Sequence, residues 1–189
     1  TGLNNLDVNS VLSSNYAEYF GFTQAEVDAM LQTYEIEKKE KEIRRWYDGY
    51  LFGNTDVYNP WSVVNYVKAA YHDENALPRP YWANTSSNSI VRELVEHADA
   101  NIRQELERLL EGGCVETPVH EDVTYEEIHA SQDNLWNFLF FSGYLKKMKE
   151  RMQMDSIYIS LAIPNAEVRH IYRSTIMEWF NRRVRQENF

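Results

Sequence analysis

The sequence predicts a mainly α-helical fold with a small β component: a helical region followed by a winged-helix-like unit that contains a β-hairpin. Two observations lead to this prediction. Before Gly113, apolar residues recur mostly at the spacing of amphipathic helices. Near residue 160 they alternate with polar residues, as in a half-buried strand. The 189 residues can bury a sizeable core, and we divide them into 1–110, 111–163 and 164–189.

The first predicted helices lie between Thr23 and Tyr47. Thr23 and Glu26 match a capping box, and apolar residues follow at helical spacing through about Tyr34. Residues 35–47 continue as a charged helix. We interpret its alternating charges as a solvated face with i, i+4 pairs.

Residues 46–66, WYDGYLFGNTDVYNPWSVVNY, contain seven aromatic residues among turn formers. Asp48-Gly49 and Gly53-Asn54 are turn signals. Asn59-Pro60 predicts a helix start, with Asn as the cap and Pro in the first turn. The helix should extend to about Tyr71.

The aromatic rings of this stretch have two interpretations. We expect them to pack between helices, with Trp46, Tyr50 and Trp61 mostly buried, because exposing so many rings would create a large apolar patch. Alternatively, exposed rings beside Asn and Asp could stack on sugar rings or bases.

The rest of the chain predicts further helices and a hairpin. Ser87 or Asn88 can cap a helix through about His97, and another runs from 100 to 110 before Gly112-Gly113. A strand at 114–119, a helical turn at 124–128 and a helix from 134 to 141 capped by Asp133 follow. Segments 144–151 and 156–163 then form the hairpin, and Pro164-Asn165 starts a last helix. This order is compatible with a winged helix whose wing is the hairpin.

The net charge of −10 is unevenly distributed. Residues 1–35 carry five acids and no Lys or Arg, whereas residues 144–189 carry nine bases and five acids. Nonspecific binding of nucleic acid by the whole surface is therefore disfavoured. A local basic face remains, and its candidate contacts to nucleic acid or to another domain are Lys146, Lys147, Lys149 and Arg151.

Motifs for catalysis or cofactor binding are missing from the sequence. There is no GxxxxGK[ST] phosphate loop, and the histidines lack the spacing of a metal site. The single cysteine, Cys114, excludes an intramolecular disulfide and suits a reducing cytoplasm. No apolar run is long enough to span a membrane. We therefore expect no catalytic residues, no bound cofactor or metal, and no enzymatic activity in this chain by itself.

Several motifs closely resemble the predicted AAA-ATPase-like family of bacteria. They occur in the family's order and nearly cover the chain: Gly2-Leu3-Asn4-Asn5-Leu6, Tyr19-Phe20-Gly21-Phe22-Thr23, Trp46-Tyr47-Asp48-Gly49-Tyr50, Val57-Tyr58-Asn59-Pro60-Trp61-Ser62-Val63, Tyr81-Trp82-Ala83-Asn84-Thr85-Ser86-Ser87-Asn88, Leu135-Trp136 with Gly143-Tyr144-Leu145, and Ile163-Pro164-Asn165 with Glu167-Val168.

The resemblance implies a middle region of a longer protein. Family members look like P-loop ATPases, many of them fused to a C-terminal domain of the PD-(D/E)XK nuclease superfamily. The chain begins at Thr1 rather than Met, and we interpret it as a fragment: residues 1–110 as a helical lid, 111–163 as the winged-helix-like unit, and 164–189 as a helix leading toward an absent domain. ATP and magnesium would belong to the parent, and the ATPase-like core and nuclease-like domain would be this region's partners.

Two functional hypotheses result. The first is a noncatalytic lid and connector that couples the nucleotide-binding core to the nuclease-like domain; the alternative is a nucleic-acid-binding winged helix. A lid arginine can sense a terminal phosphate, so Arg44 and Arg45 are candidates, but the interpretation that we favour is two surface arginines that balance Glu40 and Glu42. The motif residues expected to pack the lid are Trp46, Tyr47, Asp48, Tyr50, Tyr58, Asn59, Pro60, Trp61, Tyr81, Trp82 and Asn84.

Overall fold

The fold was obtained as a computed structural model, which describes residues 9–84, 89–121 and 123–187. The α-helices are α1 (Gln24–Thr33), α2 (Glu40–Tyr47), α3 (Pro60–His72), α4 (Ser89–His97), α5 (Ala100–Leu110), α6 (Gln132–Phe141) and α7 (Ala166–Glu187). The strands are β1 (Tyr50–Phe52), β2 (Thr55–Val57), β3 (Val115–Pro118), β4 (Lys146–Gln153) and β5 (Ser156–Ala162). Short 3-10 helices span Ala17–Tyr19, Glu37–Lys39, Tyr81–Asn84 and Tyr125–Ala130. The predicted class, mainly α with a small β component, is confirmed.

The strands form two antiparallel sheets. β1 and β2 make a small hairpin in which Tyr50 lies opposite Val57. The other sheet has the order β3-β5-β4, because β3 pairs with β5 and the hairpin β4–β5 completes the sheet. A register shift interrupts β4 between Lys147 and Lys149. The predicted order of strand, helical turn, helix and hairpin is present from β3 to β5.

At three predicted helix starts, the expected side chains cap the helix. Thr23 and Glu26 make a reciprocal capping box at α1. The Asn59 side chain accepts hydrogen bonds from the backbone N–H groups of Trp61 and Ser62 at the start of α3. Asn165 Oδ1 accepts from the Val168 N–H, 3.0 Å away, at the start of α7. These caps satisfy amide groups that have no partner within the helix.

Other local predictions need correction. Ser131 rather than Asp133 caps α6, because its side chain accepts from the Asn134 N–H while the Asp133 carboxylate accepts from Thr117 Oγ1. The continuous helix predicted over 35–47 is divided, because Glu35 adopts a left-handed conformation with φ of 56° before the 3-10 turn Glu37–Lys39. The cap predicted at Ser87 or Asn88 lies outside the described residues.

Buried apolar residues form two clusters. The smaller core joins α1, α2, α3 and Tyr58, the residue that follows β2; it contains Val27, Leu31, Ile36, Ile43, Tyr47, Tyr58, Val63, Tyr66, Val67 and Ala70. The larger core joins α4, α5, α6, the three-stranded sheet and α7, with Trp136, Leu139, Tyr144, Leu161 and Tyr172 among its fully buried members. The division at 110 and 163 stays a prediction, and residues on both sides of each boundary contribute to the larger core.

Candidate functional site

Four of the sequence motifs meet between the two cores, at the start of α7. Glu167 lies in the first turn of α7 and is fully buried, with 0% of its surface exposed. Its carboxylate accepts a hydrogen bond from Ser62 Oγ in α3, with distances of 2.9 and 2.8 Å to the two carboxylate oxygens. The same carboxylate accepts from the backbone N–H of Trp82 at 2.9 Å. One buried side chain therefore links three segments that are distant in sequence.

A second contact joins the start of α7 to the turn before β1. Asn165 Nδ2 donates to the Asp48 carbonyl oxygen at 2.9 Å. Gly49 follows with φ of 102°, and a Cβ atom at this position would lie 2.4 Å from the Pro164 carbonyl oxygen. Glycine is therefore required both for the backbone conformation and for this close approach. We call Asp48, Gly49, Ser62, Trp82, Asn165 and Glu167 the junction.

Burial determines the electrostatics of the junction. It raises the pKa of Glu167, and the hydrogen bonds from the Trp82 backbone, the Ser62 hydroxyl and the Tyr81 backbone oppose that rise. Burial also raises the pKa of Tyr50 above the ordinary range for tyrosine, and the negative charge of Glu167 contributes. Both shifts have the same origin, because a charged form is disfavoured where water is excluded.

An open cleft of about 260 Å³ lies beside the junction. We call it the aromatic cleft; it is lined by Phe20, Tyr50, Phe52, Val57, Tyr58, Asn59, Pro60, Trp82, Phe141, Ser142 and Gly143. The rings of Phe20 and Phe52 stack with their centroids 5.0 Å apart. On its buried side, Trp82 stacks on Tyr144 at 4.8 Å.

The motif residues occupy different environments. Tyr47 and Tyr58 are buried, whereas Trp46, Asp48, Tyr50, Asn59, Tyr81 and Trp82 are partly buried and Pro60 is exposed. Tyr47 Oη donates to the Arg79 carbonyl oxygen at 3.0 Å. The backbone of Asn84 closes the 3-10 helix that begins at Tyr81, and its side chain lies outside the described part of the structure. Tyr47 and Tyr58 therefore pack in the smaller core, and Asn59 caps α3; that these residues together pack a lid stays a prediction.

Trp61 is the exception, and the prediction that it is buried is wrong. Its side chain is 58% exposed at the start of α3. The helix turns Ser62 and Val63, the next two residues, toward the interior, where both are fully buried. A helix presents only one face to a core, and in this first turn that face belongs to Ser62 and Val63.

The candidate nucleotide-sensing arginines lie in the last turn of α2, and both are exposed. Arg44 Nε is 3.7 Å from the Asp48 carboxylate, so its acidic neighbour is a junction residue rather than the predicted Glu40 or Glu42. Their role as phosphate sensors stays a prediction.

The candidate basic residues of the hairpin lie on β4, and two of them are paired. Arg151 donates to both carboxylate oxygens of Glu116, at 2.7 and 3.0 Å, and Lys147 Nζ lies 2.7 Å from the Glu150 carboxylate. Lys149 is exposed. The Lys146 ammonium group would be 3.2 Å from a Cβ on Gly49, which places it near the junction. These four bases therefore do not form one uniform positive face.

Within the described ranges, no group of three or more His, Cys, Asp or Glu side chains is arranged to hold a metal ion. Over the same ranges, no helix combines the length and apolar character needed to cross a membrane.

Sequence reasoning did not identify Ser62 and Glu167 as a pair. Both belong to motifs, but their separation of 105 residues conceals the contact. The available signal was an acid within an otherwise apolar first helical turn, Ala166-Glu167-Val168. Such a residue is buried only when it is hydrogen-bonded.

Half of this chain is similar to a segment of a longer protein. No family model matches the sequence, and no solved structure matches it. "Uncharacterized protein in vnfD 5'region" from Azotobacter chroococcum mcd 1 is 34% identical over 95 residues, which are 50% of this chain and 17% of that protein. The relative is thus much longer than the segment that it shares with this chain. The resemblance to the AAA-ATPase-like family rests on the sequence motifs alone.

Proposed function

We propose that this chain is a noncatalytic connector in a larger ATPase-like protein, coupling a nucleotide-binding core to a nuclease-like domain. The observation that carries the proposal is the junction, where Glu167 of α7 accepts hydrogen bonds from Ser62 of α3 and from the Trp82 backbone. The smaller core and the start of the last helix are thereby joined through a single buried carboxylate.

Such a contact suits the transmission of movement. If α7 moved away from α3 by more than about an ångström, the Ser62 hydroxyl would lose its acceptor and the Glu167 carboxylate would keep only its backbone donors. Each buried polar group left unpaired costs about 1–3 kcal/mol, and more for a charge. The start of α7 therefore follows α3 as a rigid unit. A displacement of the smaller core would therefore also move the three-stranded sheet and the far end of α7.

The length of the relative is compatible with this role. The shared segment makes up 17% of that protein, so a connector of this kind would occur among other domains. The missing phosphate-loop motif supports a role without nucleotide hydrolysis for this chain itself.

The test uses the isolated chain and the full-length protein that contains it. Calorimetry of the isolated chain with ATP-magnesium should show no binding. In the full-length protein, a nonhydrolysable ATP analogue with magnesium should change hydrogen exchange at residues 60–64, 80–83 and 164–170. Glu167→Ala should leave nucleotide affinity unchanged and abolish the response on the C-terminal side of 170.

Two results would contradict the proposal. One is micromolar binding of ATP-magnesium by the isolated chain. The other is a full-length protein in which nucleotide leaves exchange at the junction unchanged. As a matched control, Glu178→Ala removes an exposed acid from the same helix and should preserve the response.

A second candidate is a nucleic-acid-binding winged helix, favoured by the β3-β5-β4 order and by exposed Lys149 on β4. The contacts of α6 weigh against it. This helix, in the position expected to read DNA, buries Leu135, Trp136, Asn137, Leu139 and Phe140 in the larger core. It carries no Lys or Arg, whereas such residues supply most phosphate contacts.

A further inference from the structure

We propose that Asp48 is a modification site, at which the folded chain converts its own backbone to isoaspartate through a cyclic imide formed with Gly49. This inference goes beyond the proposed function and does not depend on it, because it rests on the chemistry of two neighbouring residues.

The residue pair itself is suited to this reaction. Asp48-Gly49 is the only Asp-Gly pair in the chain, and no Asn-Gly pair occurs. A backbone nitrogen that attacks the side-chain carboxyl group of the preceding residue closes a five-membered ring. A glycine nitrogen is the least hindered, because glycine has no Cβ atom. Asp48 is therefore the aspartate of this chain at which the ring closes most easily.

The fold brings the two reacting groups into contact. Asp48 Oδ1 accepts a hydrogen bond from the Gly49 N–H at 2.6 Å, so the nitrogen lies beside the carboxyl group that it would attack. Asp99 also accepts from a backbone N–H, but that group belongs to Ile102, three residues further on, and cannot close the same ring. Within the described residues, no backbone carbonyl group accepts a hydrogen bond from the Gly49 N–H. The nitrogen is thus not held by secondary structure.

The surroundings favour the reactive form of the carboxyl group. The neutral acid reacts, because it can lose its hydroxyl group as water. Burial raises the pKa of Asp48 above its ordinary value of 3.8, and the charge of Asp56 adds to the rise. The groups that oppose the rise are the Gly49 N–H, Arg44 and Lys146.

The remaining groups near Asp48 carry no charge at neutral pH. Tyr58 interacts with the Asp48 charge, but burial raises the pKa of this tyrosine well above its usual range, so its hydroxyl group stays neutral. From α7, the contact is made by the neutral side-chain amide of Asn165. The acid form of Asp48 is therefore more populated near pH 6 than that of an aspartate in water.

The reaction needs no reagent other than water. The Gly49 nitrogen forms a bond to Asp48 Cγ, a C–O bond of that carboxyl group breaks, and the hydroxyl group leaves with the amide proton as water. Water then adds at the main-chain carbonyl carbon of Asp48, whose bond to the nitrogen breaks as the nitrogen regains a proton. The backbone now runs through the former side chain. The Asp48 side chain is 21% exposed, so water reaches the site.

Isoaspartate at this position would weaken the junction. The backbone would gain one methylene group between Asp48 and Gly49. The Asp48 carbonyl oxygen accepts from Asn165 Nδ2 at 2.9 Å, and Gly49 lies so close to the Pro164 carbonyl oxygen that even a Cβ atom would collide with it. Both contacts require the original backbone, so the modification would separate the turn before β1 from the start of α7.

The test is to incubate the folded chain at pH 6 and physiological temperature and to locate isoaspartate by peptide mapping with electron-transfer fragmentation. We expect isoaspartate to form several times faster at Asp48 than at Asp155, which precedes Ser156 in the exposed turn between β4 and β5. Hydrogen exchange at residues 164–170 should be faster in the modified chain than in the fresh chain. Equal rates at Asp48 and Asp155 would overturn the proposal. So would isoaspartate that forms at Asp48 only when the chain is denatured in urea.

Two neighbouring exposed arginines provide matched variants. Arg44 Nε lies 3.7 Å from the Asp48 carboxylate and its charge favours the unreactive anion. Arg44→Gln should therefore speed the modification at pH 6 severalfold. Arg45→Gln removes the same charge from the next residue of α2 and should leave the rate unchanged. An Arg44→Gln variant that reacts no faster than the wild type would overturn the proposed route through the protonated carboxyl group.

Discussion

At the scale of single residues, Glu167 has the most unusual environment among the described acids. It is fully buried and has no basic partner among the contacts that its carboxylate makes, which come from a hydroxyl group and backbone amides. Burial disfavours the charged form more than these hydrogen bonds stabilise it, so the pKa of Glu167 lies above its ordinary value. Its protonation therefore connects the stability of the junction to pH.

We therefore predict that the free energy of unfolding of the wild type and that of Glu167→Gln differ by an amount that depends on pH. Burial raises the pKa of Glu167 above its ordinary value of 4.5, so the folded state binds this proton more tightly than the unfolded state. The group's contribution to stability is then greatest below pH 4.5 and is lost as the pH rises through the folded pKa. The free energy of unfolding of the wild type, minus that of the variant, should decrease from pH 4 to pH 7 in urea titrations.

The control for this measurement is Glu178→Gln, which removes an exposed carboxylate from the same helix. The free energy of unfolding of the wild type, minus that of Glu178→Gln, should not decrease between pH 4 and pH 7. A wild-type advantage over Glu167→Gln that grows toward pH 7 would mean that the carboxylate is better stabilised as an anion, contrary to the prediction.

Trp61 and Tyr47 provide a second comparison between single residues. Tyr47 is fully buried in the smaller core, whereas Trp61 is 58% exposed. Removing a buried aromatic side chain leaves a cavity, so Tyr47→Ala should lower the free energy of unfolding by about 3–5 kcal/mol. Trp61→Ala should lower it by less than about 1 kcal/mol, because most of the ring's surface already contacts water. Chemical denaturation measures both, and a larger loss for Trp61→Ala would restore the interpretation of this ring as core.

At the scale of secondary-structure elements, the β4–β5 hairpin separates the two functional candidates. Arg151 and Lys147 are held by Glu116 and Glu150, so their charges are largely balanced before any ligand binds. We expect weak binding of duplex DNA at physiological salt, falling steeply as salt increases because the contacts would be to phosphates.

Gel-shift titration of a hairpin variant with Lys146, Lys147, Lys149 and Arg151 all changed to Glu tests this expectation. A variant with Lys38, Lys41, Arg44 and Arg45 changed to Glu, in or beside α2, controls for the change in net charge. If the wild type binds DNA tightly at physiological salt and only the hairpin variant loses binding, the connector proposal must give way to a nucleic-acid-binding winged helix.

The elements also show how far sequence reasoning extends. Asn59-Pro60, Thr23 with Glu26, and Asn165 correctly predicted helix starts, because a cap is a local interaction between neighbouring residues. The pairing of Ser62 with Glu167 could not be predicted in this way, because it depends on how distant helices pack. The exposure of Trp61 was missed for the same reason: aromatic composition indicates burial on average, but only the tertiary fold determines which helix face is covered.

At the scale of the whole molecule, the two cores are unequal and the junction holds them together. Among the described residues, the smaller cluster has ten buried members and the larger cluster has twenty. The smaller core buries less apolar surface and should be the less stable unit if it were separated from the larger core. The junction contacts of Glu167 with Ser62 and of Asn165 with Asp48 make loss of the smaller core costly, because they would leave buried polar groups without partners.

We therefore predict that the wild type unfolds in one transition and that Glu167→Ala separates the two cores. Removing the carboxylate leaves the Ser62 hydroxyl and the Trp82 N–H without their acceptor, which should cost about 2–4 kcal/mol and reduce the coupling between cores.

Pulsed hydrogen exchange across a urea series can follow segments 40–70 and 135–172 separately. In the wild type both segments should lose protection at the same urea concentration, as two-state unfolding requires. In Glu167→Ala, segment 40–70 should lose protection at lower urea than segment 135–172, whereas Glu178→Ala should resemble the wild type. Separate transitions already present in the wild type would show that the junction does not couple the cores, and the proposed transmission of movement through Glu167 would then lose its structural basis.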